Sequence, residues 1–219
     1  MHETGLTMDT FAATDPGAKR SRSTTRARLL ATSAAVFAEK GIEGASVEEL
    51  CAAAGFSRGA FYSNFATKTE LALAMYEDHV GQLVTRLDDQ LEAWLAAGEP
   101  TAAVVGRIIE GMSDFTSDTI WHCVRLELLL AARRSPQVRD VVLAQRVTLT
   151  EAVTEALARV ADQQELSLTV RASELAELLL STYDGRLNDQ IAAPVSTPAN
   201  SHLVPTLWLA FTRPSRVQP

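Results

Sequence analysis

Apolar residues recur every three or four positions through most of this chain, and no stretch alternates residue by residue, so the pattern predicts helices throughout. A first helix is expected over residues 25–40, with Leu29, Leu30, Ser33, Val36 and Phe37 on one face and Gly41 at its end. Ser46 and Glu49 form a capping-box pair, so a second helix starts at Val47 and buries Val47, Leu50, Cys51 and Ala54. Gly55 stops it, because a sharp turn needs a residue that tolerates positive φ. Phe56 then plugs the angle between two helices, and Ser57 caps a third over about 58–64. That short helix buries Phe61 and Phe65 and leaves Arg58, Gly59, Ala60, Tyr62 and Ser63 outside.

Thr67 and Glu70 repeat the capping box and open a long helix. Its stripe runs through Val80, Leu83, Val84, Leu87, Leu91, Trp94 and Leu95 until Gly98 and Pro100 break it. Helical periodicity continues over 101–116 and 118–134. Ser135 and Pro136, an N-cap followed by proline at the first helical position, open a segment over 136–161. Another spans 170–191. Five of the eight prolines lie beyond residue 191, where only 201–211 is compatible with a last short helix. The expected fold class is all-α: a disordered extension over 1–18, a helix-turn-helix domain with a basic arm over 19–66, and a helical body over 67–213.

Two short helices meeting steeply at a glycine, the first carrying a small residue at the crossing, are the elements of a helix-turn-helix, whose second helix enters the DNA major groove. The charge distribution agrees. The 219 residues carry a net charge of −7, yet 19–68 holds eight basic and four acidic side chains. From residue 69 onward there are twelve basic and twenty acidic ones. A positive end on an acidic body suits a protein that docks DNA by one face.

The run Phe37-Ala38-Glu39-Lys40-Gly41, then Ser46-Val47, then Ala54 through Phe65 (AGFSRGAFYSNF), then Lys68, resembles the DNA-binding domain of the TetR (tetracycline-repressor-like) family, without a gap over about 25–72. Asn64 stands where that family often has histidine and Cys51 where it usually has alanine; both replacements preserve the polar or small character. Arg58, in the first turn of the third helix, is the expected base reader, its fork matching guanine O6 and N7. Gly59 allows close approach and Ala60 offers a methyl to thymine. Tyr62 and Asn64 face phosphates, as the resemblance also implies, and Ser63 is a further DNA-binding candidate on the outer face. Lys68 sits at a helix start that already favours a phosphate. Ser46, Ser57 and Thr67 occupy helix starts of the same kind, and capping alone also explains them. Lys19, Arg20, Arg22, Arg26 and Arg28 form an arm that is either a solvated helix start or a reach to phosphates and a flanking minor groove.

One such helix reads only a few base pairs, so two copies about a two-fold axis on a palindromic double-stranded operator are expected. The dimer face is assigned to the helices at 136–161 and 170–191, whose apolar stripes suit a four-helix bundle. The resemblance implies a small-molecule pocket between the long helix and these two, and a repressor that its ligand releases. Candidate lining residues are Trp94, Met112, Phe115, Trp121, His122, Arg125 and Tyr183, each also explicable as ordinary core or surface. A DNA-binding protein that ignores ligands is the alternative.

No HExxH, GxSxG, phosphate-loop or CxxC pattern occurs, and the four histidines are scattered, so no enzyme, metal or cofactor is expected. Cys51 and Cys123 sit in apolar helical patterns, as reduced thiols of a cytoplasmic protein do. No apolar run reaches membrane-spanning length.

Overall fold

The structure is a computed structural model that describes residues 16–98, 100–110, 115–193 and 203–215. Helix α1 spans Pro16–Gly44 and is kinked at Gly41, where φ is 73°. The expected stop at Gly41 holds as a break, since the backbone there leaves helical geometry (φ 73°, ψ 160°) and a further turn follows it to Gly44. The helix starts at Pro16 instead of residue 25, proline being suited to a first helical position. Of the extension expected over 1–18, residues 1–15 lie outside the described residues. Helix α2 is Val47–Ala54, and Gly55 ends it in the left-handed conformation with φ 74°. Helix α3 is Arg58–Tyr62, one turn long, and α4 is Lys68–Ala96.

In the body, α5 is Thr101–Glu110 and α6 is Phe115–Ala132. Helix α7, Pro136–Gln163, starts as its Ser135 cap predicts, and α8 is Ala172–Ala192. Helix α9, Leu203–Phe211, is anchored by the fully buried Trp208. Strands β1, Leu166–Leu168, and β2, Thr212–Pro214, pair antiparallel. They are a small correction to an entirely helical expectation, since three residues are too few for alternation to register. The fold class stands as all-α, with a helix-turn-helix at the N-terminal end and a helical body.

The buried side chains form two clusters. Leu29, Phe37, Leu50, Phe61, Phe65 and Met75 belong to one, together with Val124 and Leu128 of α6 and Val138 and Val142 of α7. The other joins Leu87, Leu91, Ile108, Leu157, Leu175, Leu179 and Trp208. Helix α4 contributes to both, so one continuous element links the two packing units. At the α1 kink a Cβ on Gly41 would lie 3.3 Å from Glu127 Oε1 of α6. The positive φ favours glycine there, and a side chain would in addition have to push the Glu127 carboxylate aside. Cys51 is buried and Cys123 half-buried, and burial pushes both thiols above their ordinary pKa, which favours the unreactive protonated form. Among the described residues no helix is long and apolar enough to cross a membrane.

Candidate nucleic-acid interface and effector cleft

Local chemistry builds the head in the manner its spacing predicts. Ser46 Oγ accepts from the Glu49 N–H at 3.2 Å while Glu49 accepts from the Ser46 N–H at 2.9 Å, closing the capping box of α2. Lys40 bonds the same carboxylate, and that bond, then those from Ser46, hold Glu49 down at a pKa of about 2. Ser57 Oγ accepts from the Ala60 N–H at 3.3 Å and starts α3. Phe61 and Phe65 point inward, 0% and 2% exposed, and fix which face of α3 remains outside.

That outer face holds Arg58, Gly59 and Ser63, all exposed, with Tyr62 52% exposed and Ala60 at its edge. The Arg58 guanidinium pairs with Glu48 of α2 at 2.7 Å, both side chains lying in solvent. The Tyr62 hydroxyl, then Glu48, holds Arg58 further above its ordinary pKa. An exposed pair of this kind stabilises little, so a base edge can replace Glu48 as the arginine's partner. Ser63 Oγ and Asn64 Nδ2 both donate to the Ala60 carbonyl at 2.8 Å, closing the end of α3. Arg26 lies over the Phe65 ring at 5.0 Å, a cation–π contact that fixes one residue of the basic arm against the head. Arg22 is described only as part of the α1 backbone. Lys68 has a role the sequence did not suggest: its Nζ donates to the Glu43 and Ala45 carbonyls, both at 2.7 Å, tying α4 to the turn between α1 and α2.

A second site opens between α4, α6, α7 and α8. The space between the side chains, open mouth included, is about 660 Å3. Val80, Leu83, Leu149, Leu180 and Leu187 supply apolar walls. Trp121 stacks on His79 with ring centroids 4.2 Å apart and planes within 10°. Burial, with Arg86 adding to it, pushes the His79 pKa down to about 4, so this ring is neutral at physiological pH.

The polar floor converges on Asp184. Its Oδ2 is ion-paired with Arg125, whose Nη2 lies 3.0 Å away, and accepts from Arg146 Nη1 at 3.1 Å. Its Oδ1 lies 4.0 Å from His122 Nδ1, and the other ring nitrogen of His122 is 2.8 Å from Asn188 Oδ1. Burial raises the Tyr76 pKa while the neighbouring Arg125 opposes it, leaving a neutral hydroxyl beside the guanidinium. Arginines on α6 and α7 thus share one carboxylate on α8.

Two family models cover most of the chain: "Bacterial regulatory proteins, tetR family" matches residues 29–75, and "Tetracyclin repressor-like, C-terminal domain" matches residues 96–208. The chain belongs to the TetR family. TetR-family proteins are DNA-binding transcriptional regulators rather than enzymes. CymR of Pseudomonas putida, an HTH-type transcriptional regulator, is 33% identical over 116 residues, 53% of this chain and 55% of its own, so the match spans about half of that protein. The transcriptional repressor AcnR of Corynebacterium efficiens is 27% identical over 86% of this chain and 93% of its own. Among solved structures, the transcriptional regulator FadR of Bacillus subtilis, in complex with stearoyl-CoA, superposes with a TM-score of 0.68 at 15% identity, covering 84% of this chain and 97% of that one. That likeness speaks for the fold.

Of the residues expected to line a TetR-type pocket, the structure brings Trp121, His122, Arg125 and Tyr183 together in the cleft. Trp94 packs instead on the cluster around Leu91 and Trp208, away from the cleft. Met112 lies outside the described residues, and Phe115 is described only as the first residue of α6. The sequence reading missed Tyr76, His79, Arg146 and Asp184. The available signal was a charge interrupting each apolar stripe: Arg146 within α7 and Asp184 within α8.

Proposed function

We propose that this TetR-family protein is a cytoplasmic homodimeric repressor that grips a palindromic operator and is released by a small molecule seated in the cleft. The observation that carries this reading is the orientation of α3, whose aromatic side is buried while the Arg58 edge faces solvent. Arg58, Gly59 and Ala60 meet base edges in the major groove. Tyr62, Ser63, Asn64 and Arg26 meet the backbone, with Arg22 further along the arm, and Ser46 and Ser57 present their capped helix starts to it. Lys68 spends two of its three ammonium protons within the head and keeps the third for a phosphate.

Pairing through α7 and α8 is supported by side chains that a monomer leaves in water: Leu143 and Val147, one turn apart on α7, are 57% and 54% exposed, and Leu178 on α8 is 39% exposed. Burial of such residues about a two-fold axis drives association. AcnR, similar over most of the chain, is a repressor, which favours repression, and FadR, of similar fold, is in complex with stearoyl-CoA, which favours a ligand in the body. Helix α4 starts in the head at Lys68 and lines the cleft from Tyr76, about two turns on. A ligand that favours one arrangement of the cleft therefore biases the spacing of the two heads and shifts the population off DNA.

Selection of bound duplexes from a random library tests the reading, with light scattering on the protein alone. The expected result is a palindromic consensus and twice the chain mass. A stable monomer at micromolar concentration, or a consensus without two-fold symmetry, contradicts it.

A further inference from the structure

We propose that the cleft takes an organic monoanion, a carboxylate on an apolar body, whose head seats between Arg125 and Arg146 in place of Asp184. This rests on the reading of the cleft as an effector site. Among the described lining residues two guanidinium groups face one carboxylate, which leaves one positive charge in excess. His79 contributes no charge at neutral pH, and Arg86 beyond it carries the same sign as the excess.

Donors remain as well as charge. Both arginines approach the same oxygen, Oδ2, of Asp184, while His122 Nδ1 lies 4.0 Å from Oδ1. Each guanidinium carries five N–H groups in a planar fork that matches two carboxylate oxygens better than one. Among the described residues Arg146 Nη2 donates to Ser181 Oγ, at a long 3.4 Å. An ammonium head is repelled by the excess charge, and a neutral head leaves it unanswered. The walls at Val80, Leu83, Leu149, Leu180 and Leu187 accept the apolar body. The guest's carboxylate also severs the links from α8 to α6 and α7 that Asp184 makes, and α7 and α8 are the helices assigned to the dimer.

The test is calorimetric titration of the DNA-free full chain with octanoate, octan-1-ol and octylammonium, three heads on one body, at neutral pH. Octanoate is expected to bind roughly ten- to a hundredfold tighter than the alcohol, with octylammonium weakest. Arg125→Gln and Arg146→Gln each leave Asp184 one arginine, which protects the fold, and each should abolish the preference while alcohol binding persists. Circular dichroism melting checks that both variants are folded. Asp184→Asn, with both arginines unopposed, should bind octanoate more tightly than the parent does. Equal or tighter binding of the alcohol or the ammonium overturns the proposal. So does a preference unchanged in both arginine variants, or no octanoate binding up to millimolar concentration. Operator release is measured separately. Octanoate binding that leaves the operator complex intact counts against ligand release and leaves the anion assignment standing. Release by the alcohol or the ammonium alone does the reverse.

Discussion

The head and the cleft are built from the same kinds of residues by opposite means. In the head the helix ends are set mostly by neighbours a few positions away, Ser46 with Glu49, Ser57 with Ala60 and Asn64 with Ala60, and the bonds of Lys68 to Glu43 and Ala45 are a long-range exception. In the cleft the partners come from distant helices: Arg146 and Asp184 are 38 residues apart, His122 and Asn188 are 66 apart. The head presents its charge to water, where Arg58 is 61% exposed, whereas the cleft holds charge at 20–28% exposure. A surface meant for a polyanion has to be exposed and rigid. A pocket that switches state benefits from enclosed charges whose pairing a guest can change.

The largest expected effect tests whether the head's surface depends on its buried side. Phe61→Ala removes a fully buried ring and should cost about 3–5 kcal/mol, read as a lower melting temperature together with loss of DNA binding. An unchanged melt would mean that α3 is not held by this ring. Next is the cleft's acid sensitivity. His79 falls from 6.5 to about 4 on folding, so between those values the unfolded chain holds the extra proton and stability drops as pH is lowered through that window. The loss should be on the order of 3 kcal/mol in urea unfolding at matched pH values. His79→Phe, which keeps a ring on Trp121, should flatten the profile; the same slope in that variant would assign it elsewhere.

Arg58→Ala comes third. It should reduce discrimination between operator and scrambled duplex roughly ten- to a hundredfold while weak, salt-sensitive binding persists. Ser46→Ala is the smallest, about 1 kcal/mol of stability from one lost cap, with the DNA consensus unaltered. A changed consensus would place Ser46 at the DNA in its own right.

The same contrast explains what was legible in the sequence. Capping boxes, a glycine at positive φ and inward aromatics are signals within one or two turns, so α2, Gly55, α3 and the start of α7 followed from spacing. Trp121, His122, Arg125 and Tyr183 were recognisable as candidates because the family resemblance located the pocket's segment. Arg146 and Asp184 were not: each lay in an apolar stripe assigned to dimer packing, and their meeting depends on how α7 crosses α8. Lys68 was placed at a helix start, but its bonds to Glu43 and Ala45 depend on the α1 kink closing back on α4. Strands β1 and β2 escaped because each is three residues long.

Fluorescence anisotropy of the parent chain and Arg58→Ala, on a selected operator and a scrambled duplex across a salt series, tests the central claim most directly. The parent is expected to prefer the operator strongly, and in the variant the gap between the two curves should narrow roughly ten- to a hundredfold, through loss on the operator. Equal losses on both duplexes, or a parent that binds them alike at every salt concentration, would contradict it.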